Sequence, residues 1–258
     1  MYASNYFEQT FLNCFCGVSA AAPQNLYLRL FSSNPTDSGL AGTEISYTGY
    51  QPQQITFSAP TTYSNGLAIS NSAQIEFAQA SEDVGNITHI GIFDSATGGN
   101  MLCYGELNEV MNIKSGESPI FLAGEVKFYS TGNLSTYYKR VFLNSLRKTN
   151  LPAIAPYMAL FSGNPENGGV ELTGDNYSRP AITFSSPYET STGVMQIKNS
   201  AQIEFNRAST NWGNSDYRVI YDAASSGQVV WFKQATLRDF NIGRKYIISA
   251  ENLLVGVN

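Results

Sequence analysis

The side chains best suited to chemistry in this chain are carboxylates that occur twice. Glu44, Glu76 and Asp94 have counterparts 127 or 128 residues further on, at Glu171, Glu204 and Asp222. Two carboxylic acids suffice for glycoside hydrolysis, one as general acid and the other as base or nucleophile. The local patterns point elsewhere. Glu76 lies on the polar side of the alternating Ile75-Glu76-Phe77 segment. Asp94 opens the turn 94–99 (Asp-Ser-Ala-Thr-Gly-Gly), where a short acid caps backbone N–H groups. His89 is the single histidine and faces Tyr217 in the second copy, so no multi-histidine metal site can form. It has no Gly-x-Ser-x-Gly elbow beside it to make a catalytic triad. Cys14, Cys16 and Cys103 are odd in number, and Cys103 aligns with Trp231. A Cys-x-Cys pair without a nearby histidine is a poor zinc pattern, so reduced thiols are expected. No catalytic, cofactor-binding or metal-ligating residue is assigned. Tyr47, Tyr50, Tyr63, Tyr177 and Tyr188 fall in loops and at strand ends, where exposed rings would stack on sugars or on a protein partner.

Those carboxylates recur because the whole chain does. Ser-Ala-Gln-Ile-Glu-Phe occurs unchanged at Ser72–Phe77 and Ser200–Phe205, and Leu28–Pro35 returns as Met158–Pro165. The segment from Tyr50 to Pro60 returns from Tyr177 to Pro187. A period of 127–131 residues is a whole domain rather than a solenoid unit. Two domains are therefore expected, 1–130 and 131–258. Each opens with a serine cap and an i, i+4, i+8 apolar stripe. The stripes are Phe7, Phe11 and Phe15 after Ser4, and Tyr138, Phe142 and Leu146 after Ser135. The period then changes to 2, with turn dipeptides every eight to twelve residues. Strands are predicted at 26–31, 55–57, 75–77, 87–93, 101–107 and 120–128. Their counterparts are 158–161, 182–184, 201–205, 218–221, 229–237 and 246–255. The fold class is mainly β: two tandem antiparallel β-sandwiches or small barrels, each preceded by a short amphipathic helix.

The net charge of −5 is divided unevenly. Through Tyr129 three basic residues face eleven acidic ones, a balance of −8; from Ser130 twelve face nine, a balance of +3. Domains of opposite sign can dock head to tail, within or between chains. The basic half is too mild for nucleic-acid binding. No 18-residue apolar run exists, so no membrane span is expected. The opening lacks a basic segment followed by an apolar stretch, so no secretory signal is expected. The sequons at Asn86, Asn133 and Asn176 then read as chance.

An ordered series of motifs carries a family resemblance: Leu28–Phe31, Pro35–Asp37, Glu44–Ser46, Gly49-Tyr50, Ile55–Phe57, Asn71–Ala73, Gly91–Asp94 and Tyr104–Leu107. The second copy repeats it at Tyr157–Phe161, Glu171, Tyr177–Arg179, Ile182–Phe184, Asn199–Ala201, Trp212-Gly213 and Tyr221–Ala223. The first copy departs at Val84-Gly85, where the second keeps Trp212-Gly213, and at Gln51-Pro52, where the second keeps Ser178-Arg179. The series resembles a family of tailed-bacteriophage virion proteins known as phage tail fibre proteins. The resemblance implies a small β-rich virion component; with the duplication, the low charge and the missing catalytic groups, the expectation is a non-enzymatic structural protein of the virion, assembled in the host cytoplasm as a symmetric homo-oligomer with other virion proteins. Tail, baseplate or neck fibre-attachment and adaptor roles fit it. A capsid decoration (cement) protein and a module contacting host-surface glycans are the alternatives.

Overall fold

Ser4 and Ser135 start the two helices as the pattern predicts. In the computed structural model, which describes residues 1–257, each serine Oγ accepts an N–H from three residues on. Phe7 and Tyr138 are the donors, both at 3.2 Å. This satisfies one of the donors that a first helical turn leaves unpaired. Helix α1 is Asn5–Phe15 and α2 is Thr136–Ser145. Each capping hydroxyl also donates to a strand carbonyl, of Met101 or Val229. The cap therefore fixes the helix to a sheet as well as starting it.

The first copy forms β1 (Tyr2–Ala3), β2 (Tyr27–Phe31), β3 (Gln53–Gln54), β4 (Thr61–Tyr63) and β5 (Gly66–Ser70). It continues with β6 (Ile75–Glu76), β7 (Gly85–Phe93), β8 (Met101–Ile113), β9 (Ile120–Phe121) and β10 (Lys127–Ser130). These make a five-stranded sheet ordered β1-β8-β7-β2-β3, a three-stranded sheet β10-β5-β4 and a β6-β9 pair. The second copy forms β11 (Tyr157–Ser162), β12 (Val170–Glu171), β13 (Tyr188–Glu189), β14 (Met195–Lys198) and β15 (Ile203–Glu204). Then come β16 (Asn214–Tyr221), β17 (Val229–Asp239), β18 (Ile247–Ile248) and β19 (Leu254–Gly256). Their sheets are β12-β11-β16-β17, β13-β14-β19 and β15-β18. All the pairings between these strands are antiparallel and no sheet closes into a barrel. The chain is mainly β, with tandem antiparallel domains.

Two compact units result. Unit 1 comprises Met1–Thr10, Ala21–Ser130 and Phe142–Asn150; unit 2 comprises Phe11–Ala20, Thr131–Val141 and Leu151–Asn258. Within unit 1, the Phe7 ring stacks on Phe142 at 4.6 Å between centroids, and Phe128 lies within 6.3 Å of Phe7 and 5.9 Å of Phe142. Leu28, Leu30, Ile90 and Ile92 bury one face of β2 and β7. On the other face Phe31, Phe93 and Met101 form a second cluster. Within unit 2, Phe15 meets Phe184 edge-on at 6.0 Å and Cys14 O accepts from Ile154 N–H at 2.8 Å. Met158, Leu160 and Ile220 are buried, and Ala159, Phe161 and Val219 form the cluster equivalent to that of unit 1.

A buried amide explains why the predicted strands at 120–128 and 246–255 are interrupted. Asn71 Nδ2 donates to the carbonyls of Ala73 and Leu122, both at 2.8 Å, while its Oδ1 accepts Val126 N–H at 2.9 Å. Asn199 does the same with Ala201, Ser249 and Leu253. Each asparagine supplies the backbone partners that a strand would otherwise need, so the chain can turn there. Gly124 (φ 87°) and Glu251 (φ 67°) take the left-handed conformation of the turn. Residues 55–57 and 182–184 are likewise not continuous strands. Ile55 N–H bonds Leu26 O, whereas Phe57 bridges Asn71, and neighbouring residues thus serve different partners. Strand β4 was not legible, because Thr61, Thr62 and Tyr63 are all exposed and carry no alternation.

Candidate functional site

The repeated carboxylates take their places in two versions of one network. In the first copy Tyr50 Oη donates to Glu44 Oε1 at 3.1 Å and accepts Leu30 N–H at 3.1 Å. In the second, Tyr177 Oη does so with Glu171 Oε1 and Leu160 N–H at the same distances. Burial pushes both phenols up, Leu30 or Leu160 N–H opposes this, and the neighbouring glutamate adds to it. Both phenols stay protonated donors to carboxylate at neutral pH.

A guanidinium completes each network, and it comes from a different place in each copy. Arg29, on β2, donates through Nη2 to Ser95 O at 2.8 Å and Gly98 O at 2.5 Å. It lies 3.9 Å above the Phe93 ring and 3.5 Å from Glu44. The residue aligned with it is Ala159. Arg179 fills the same role, donating through Nη1 to Ala223 O at 3.2 Å and Ser226 O at 2.7 Å, 3.5 Å above Tyr221. Its Nε and Nη2 bind Glu171 Oε1 and Oε2 at 2.8 and 2.6 Å. Burial works against the Arg179 charge, but the Glu171 bonds and attraction outweigh it and raise the guanidinium pKa. Such a fork-to-fork pair is strong and directional. Sequence comparison of the copies missed this site, since neither arginine has an arginine as its aligned partner. The departure Gln51-Pro52 against Ser178-Arg179 was its only trace.

Asp94 and Asp222 cap their turns, as the turn pattern predicts. Asp94 Oδ1 accepts Asn100 N–H and Asp222 Oδ1 accepts Gln228 N–H, both at 2.7 Å. Gly99 (φ 72°) and Gly227 (φ 76°) lie against these oxygens, where a Cβ would collide with them. Asp222 Oδ2 also accepts Tyr138 Oη at 3.0 Å. Glu204 pairs with Lys245, which with Gln202 holds its carboxyl below the ordinary range, while Glu76 lies 3.5 Å from Gln74 Nε2. Glu76 is on β6, whereas Asp94 follows β7, a strand of a different sheet. His89 is a half-buried strand residue whose Nδ1 lies 2.8 Å from Thr88 Oγ1.

None of the three cysteines forms a disulfide. Burial pushes Cys14 up to about 12 and Cys103 further, so neither is a thiolate nucleophile. Among the described residues no three His, Cys, Asp or Glu converge on a point that could hold a metal ion. No helix is long and apolar enough to cross a membrane.

The loop tyrosines differ from expectation. Tyr47 is only 7% exposed and donates to Ala78 O at 2.7 Å. Tyr50 and Tyr177 are consumed by the networks above, and half-buried Tyr188 bonds Gln196 at 2.6 Å. Tyr63 is exposed, with its ring 4.5 Å from that of Tyr129. Amphipathic rings at loop ends look alike in sequence whether they face a ligand or cap a core.

The repeated elements are thus largely structural, and comparison with known proteins agrees with that. No curated protein matches the chain. The model of one protein family, podophage GP4 fiber I protein gp80, matches residues 2–129 and matches again over residues 133–256. With both copies covered almost end to end, the chain belongs to this phage fibre family and is a virion structural protein built from a duplicated domain.

Proposed function

We propose that this protein is a non-enzymatic part of the tail, baseplate or neck, where it attaches fibres or adapts one ring of virion proteins to another as a symmetric homo-oligomer. The observation that carries the reading is the paired match to a fibre family across residues 2–129 and 133–256. Two similar units per chain let n chains present 2n similar positions, a means of reconciling neighbouring rings of different symmetry. The reading without catalysis rests on the occupied carboxylates: Glu44, Glu171, Asp94 and Asp222 all spend their oxygens on protein partners.

Quantitative mass spectrometry of purified virions tests it. A few to a few tens of copies per particle are expected. Hundreds, in proportion to the major capsid protein, would make it a decoration protein, and absence from the particle would overturn the virion role for this chain.

A further inference from the structure

The charge asymmetry of the sequence is repeated at one equivalent groove in each copy. In unit 1 a groove of about 590 Å³ runs between the far half of β8 and the start of β10. In unit 2 a groove of about 460 Å³ runs between the same parts of β17 and β19. The correspondence is set by register. Glu106 pairs with His89 as Gln234 pairs with Tyr217, and Gly105 pairs with Ile90 as Lys233 pairs with Arg218. Val126 and Leu253 both donate to the buried asparagine, so Glu125 corresponds to Asn252 and Lys127 to Leu254.

Position by position the charges change class. The first groove is lined by Glu106, Glu109 and Glu125, partly offset by Lys127 and by the Met1 amino group, which donates to Lys127 O at 3.2 Å. In the second, the amides Gln234 and Asn252 replace two of those acids, and Arg218 and Lys233 replace Ile90 and Gly105. Each groove also exposes an aliphatic side chain, Val110 at 57% and Leu254 at 47%.

Both grooves lie along open sheet edges. β8 is covered by β1 only at Cys103 and Tyr104, and β17 ends the order of its sheet. Both edges are bulged just beyond the covered part: Ile87 to His89 spans Met111 to Glu106, and Ser215 to Tyr217 spans Arg238 to Gln234. Bulges at matched places disfavour plain strand addition while leaving the side chains outward.

We propose that these two grooves are the halves of one self-association surface: the acidic β8 groove of one chain docks on the basic β17 groove of a second copy. The inference rests on the homo-oligomer reading above and gives it an interface. Such a contact is heterologous, so it closes into a ring or runs on as a filament.

Sedimentation velocity on the purified full-length chain tests the docking. Screening shortens from about 10 Å in 0.1 M salt to about 3 Å in 1 M salt. Self-association in 0.1 M NaCl is therefore expected to weaken at least tenfold in 1 M. Glu109→Lys and Lys233→Glu are both at exposed positions. Each is expected to weaken association about tenfold with an unchanged melting curve. Mixing the two variants is expected to restore a complex, because each retains the groove that the other has altered.

A parent chain monomeric at 100 μM in 0.1 M NaCl would overturn the proposal. So would variants that associate like the parent, or a mixture that stays dissociated, as grooves paired within one chain would give. Virion copy number separates this from the parent reading: a chain counted in particles yet monomeric in solution would sink the docking and leave the virion role standing.

Discussion

Arg29→Ala, followed by Pro52→Arg in the same chain, tests whether the structure needs a guanidinium at a place rather than an arginine at a position. The Arg29 side chain is 8% exposed and makes two charge-assisted bonds to turn carbonyls. Bonds of that kind are worth about 1.5–3 kcal/mol each. The lower value applies because Gly98 is exposed and the freed carbonyls can rehydrate. Stacking over Phe93 adds about 0.5–1 kcal/mol. The Glu44 contact, at 3.5 Å with a third of that carboxylate's side chain in water, adds a few tenths at most. Arg29→Ala should therefore cost about 3.5–4 kcal/mol. Pro52 occupies the place of Arg179 in the second copy, so Arg29→Ala/Pro52→Arg should recover about 2 kcal/mol of it. Urea unfolding followed by circular dichroism is the assay, because both tryptophans, Trp212 and Trp231, lie in unit 2. A single variant within 0.5 kcal/mol of the parent would refute the energetic argument. A double variant no more stable than the single would refute the spatial equivalence.

Asn199→Ala removes three hydrogen bonds from a fully buried amide, taking the side-chain partner from Ala201 O and Leu253 N–H and leaving Ser249 O with only Asn252 N–H at 3.3 Å. A loss of about 3–5 kcal/mol is expected, read by tryptophan fluorescence in urea. The alkaline limb of stability should carry a signature of Cys14. Its thiol titrates from 9.0 ordinarily to about 12 when folded, so the unfolded chain releases its proton first. Stability is full below about pH 9 and falls as pH rises toward 12, and Cys14→Ala should flatten part of that fall in pH-dependent unfolding.

How much of this was legible in sequence follows from which interactions are local. The helix starts at Ser4 and Ser135 were, because a cap and a stripe lie within twelve residues. So were the turns at Asp94 and Asp222, where the carboxylate and the N–H that donates to it are six residues apart. The interruptions at 122–125 and 249–251 were not, since they depend on Asn71 and Asn199 more than fifty residues upstream. The Arg29 and Arg179 sites were hidden for a related reason. A strand delivers the charge in the first copy and a connecting segment delivers it to the equivalent turn in the second, so residue-by-residue alignment scores the two arginines as unrelated. The charge imbalance was visible, but only the folded chain gathers Glu106, Glu109 and Glu125 around one groove and Arg218 and Lys233 around its equivalent.

Asn71 and Asn199 also bear on how the particle ages. A virion outside its host does not replace its parts, so its lifetime is set by chemistry that needs no enzyme. Hydrolysis of either amide would turn an N–H₂ that donates to two carbonyls into an oxygen facing them, at a site closed to water. One group exchanged would convert two attractions into two repulsions and a buried charge, with only the bond accepted from Val126 or Leu253 N–H surviving. The same bonds hold the amide rigid and shielded, so the intact fold guards the groups on which its durability depends.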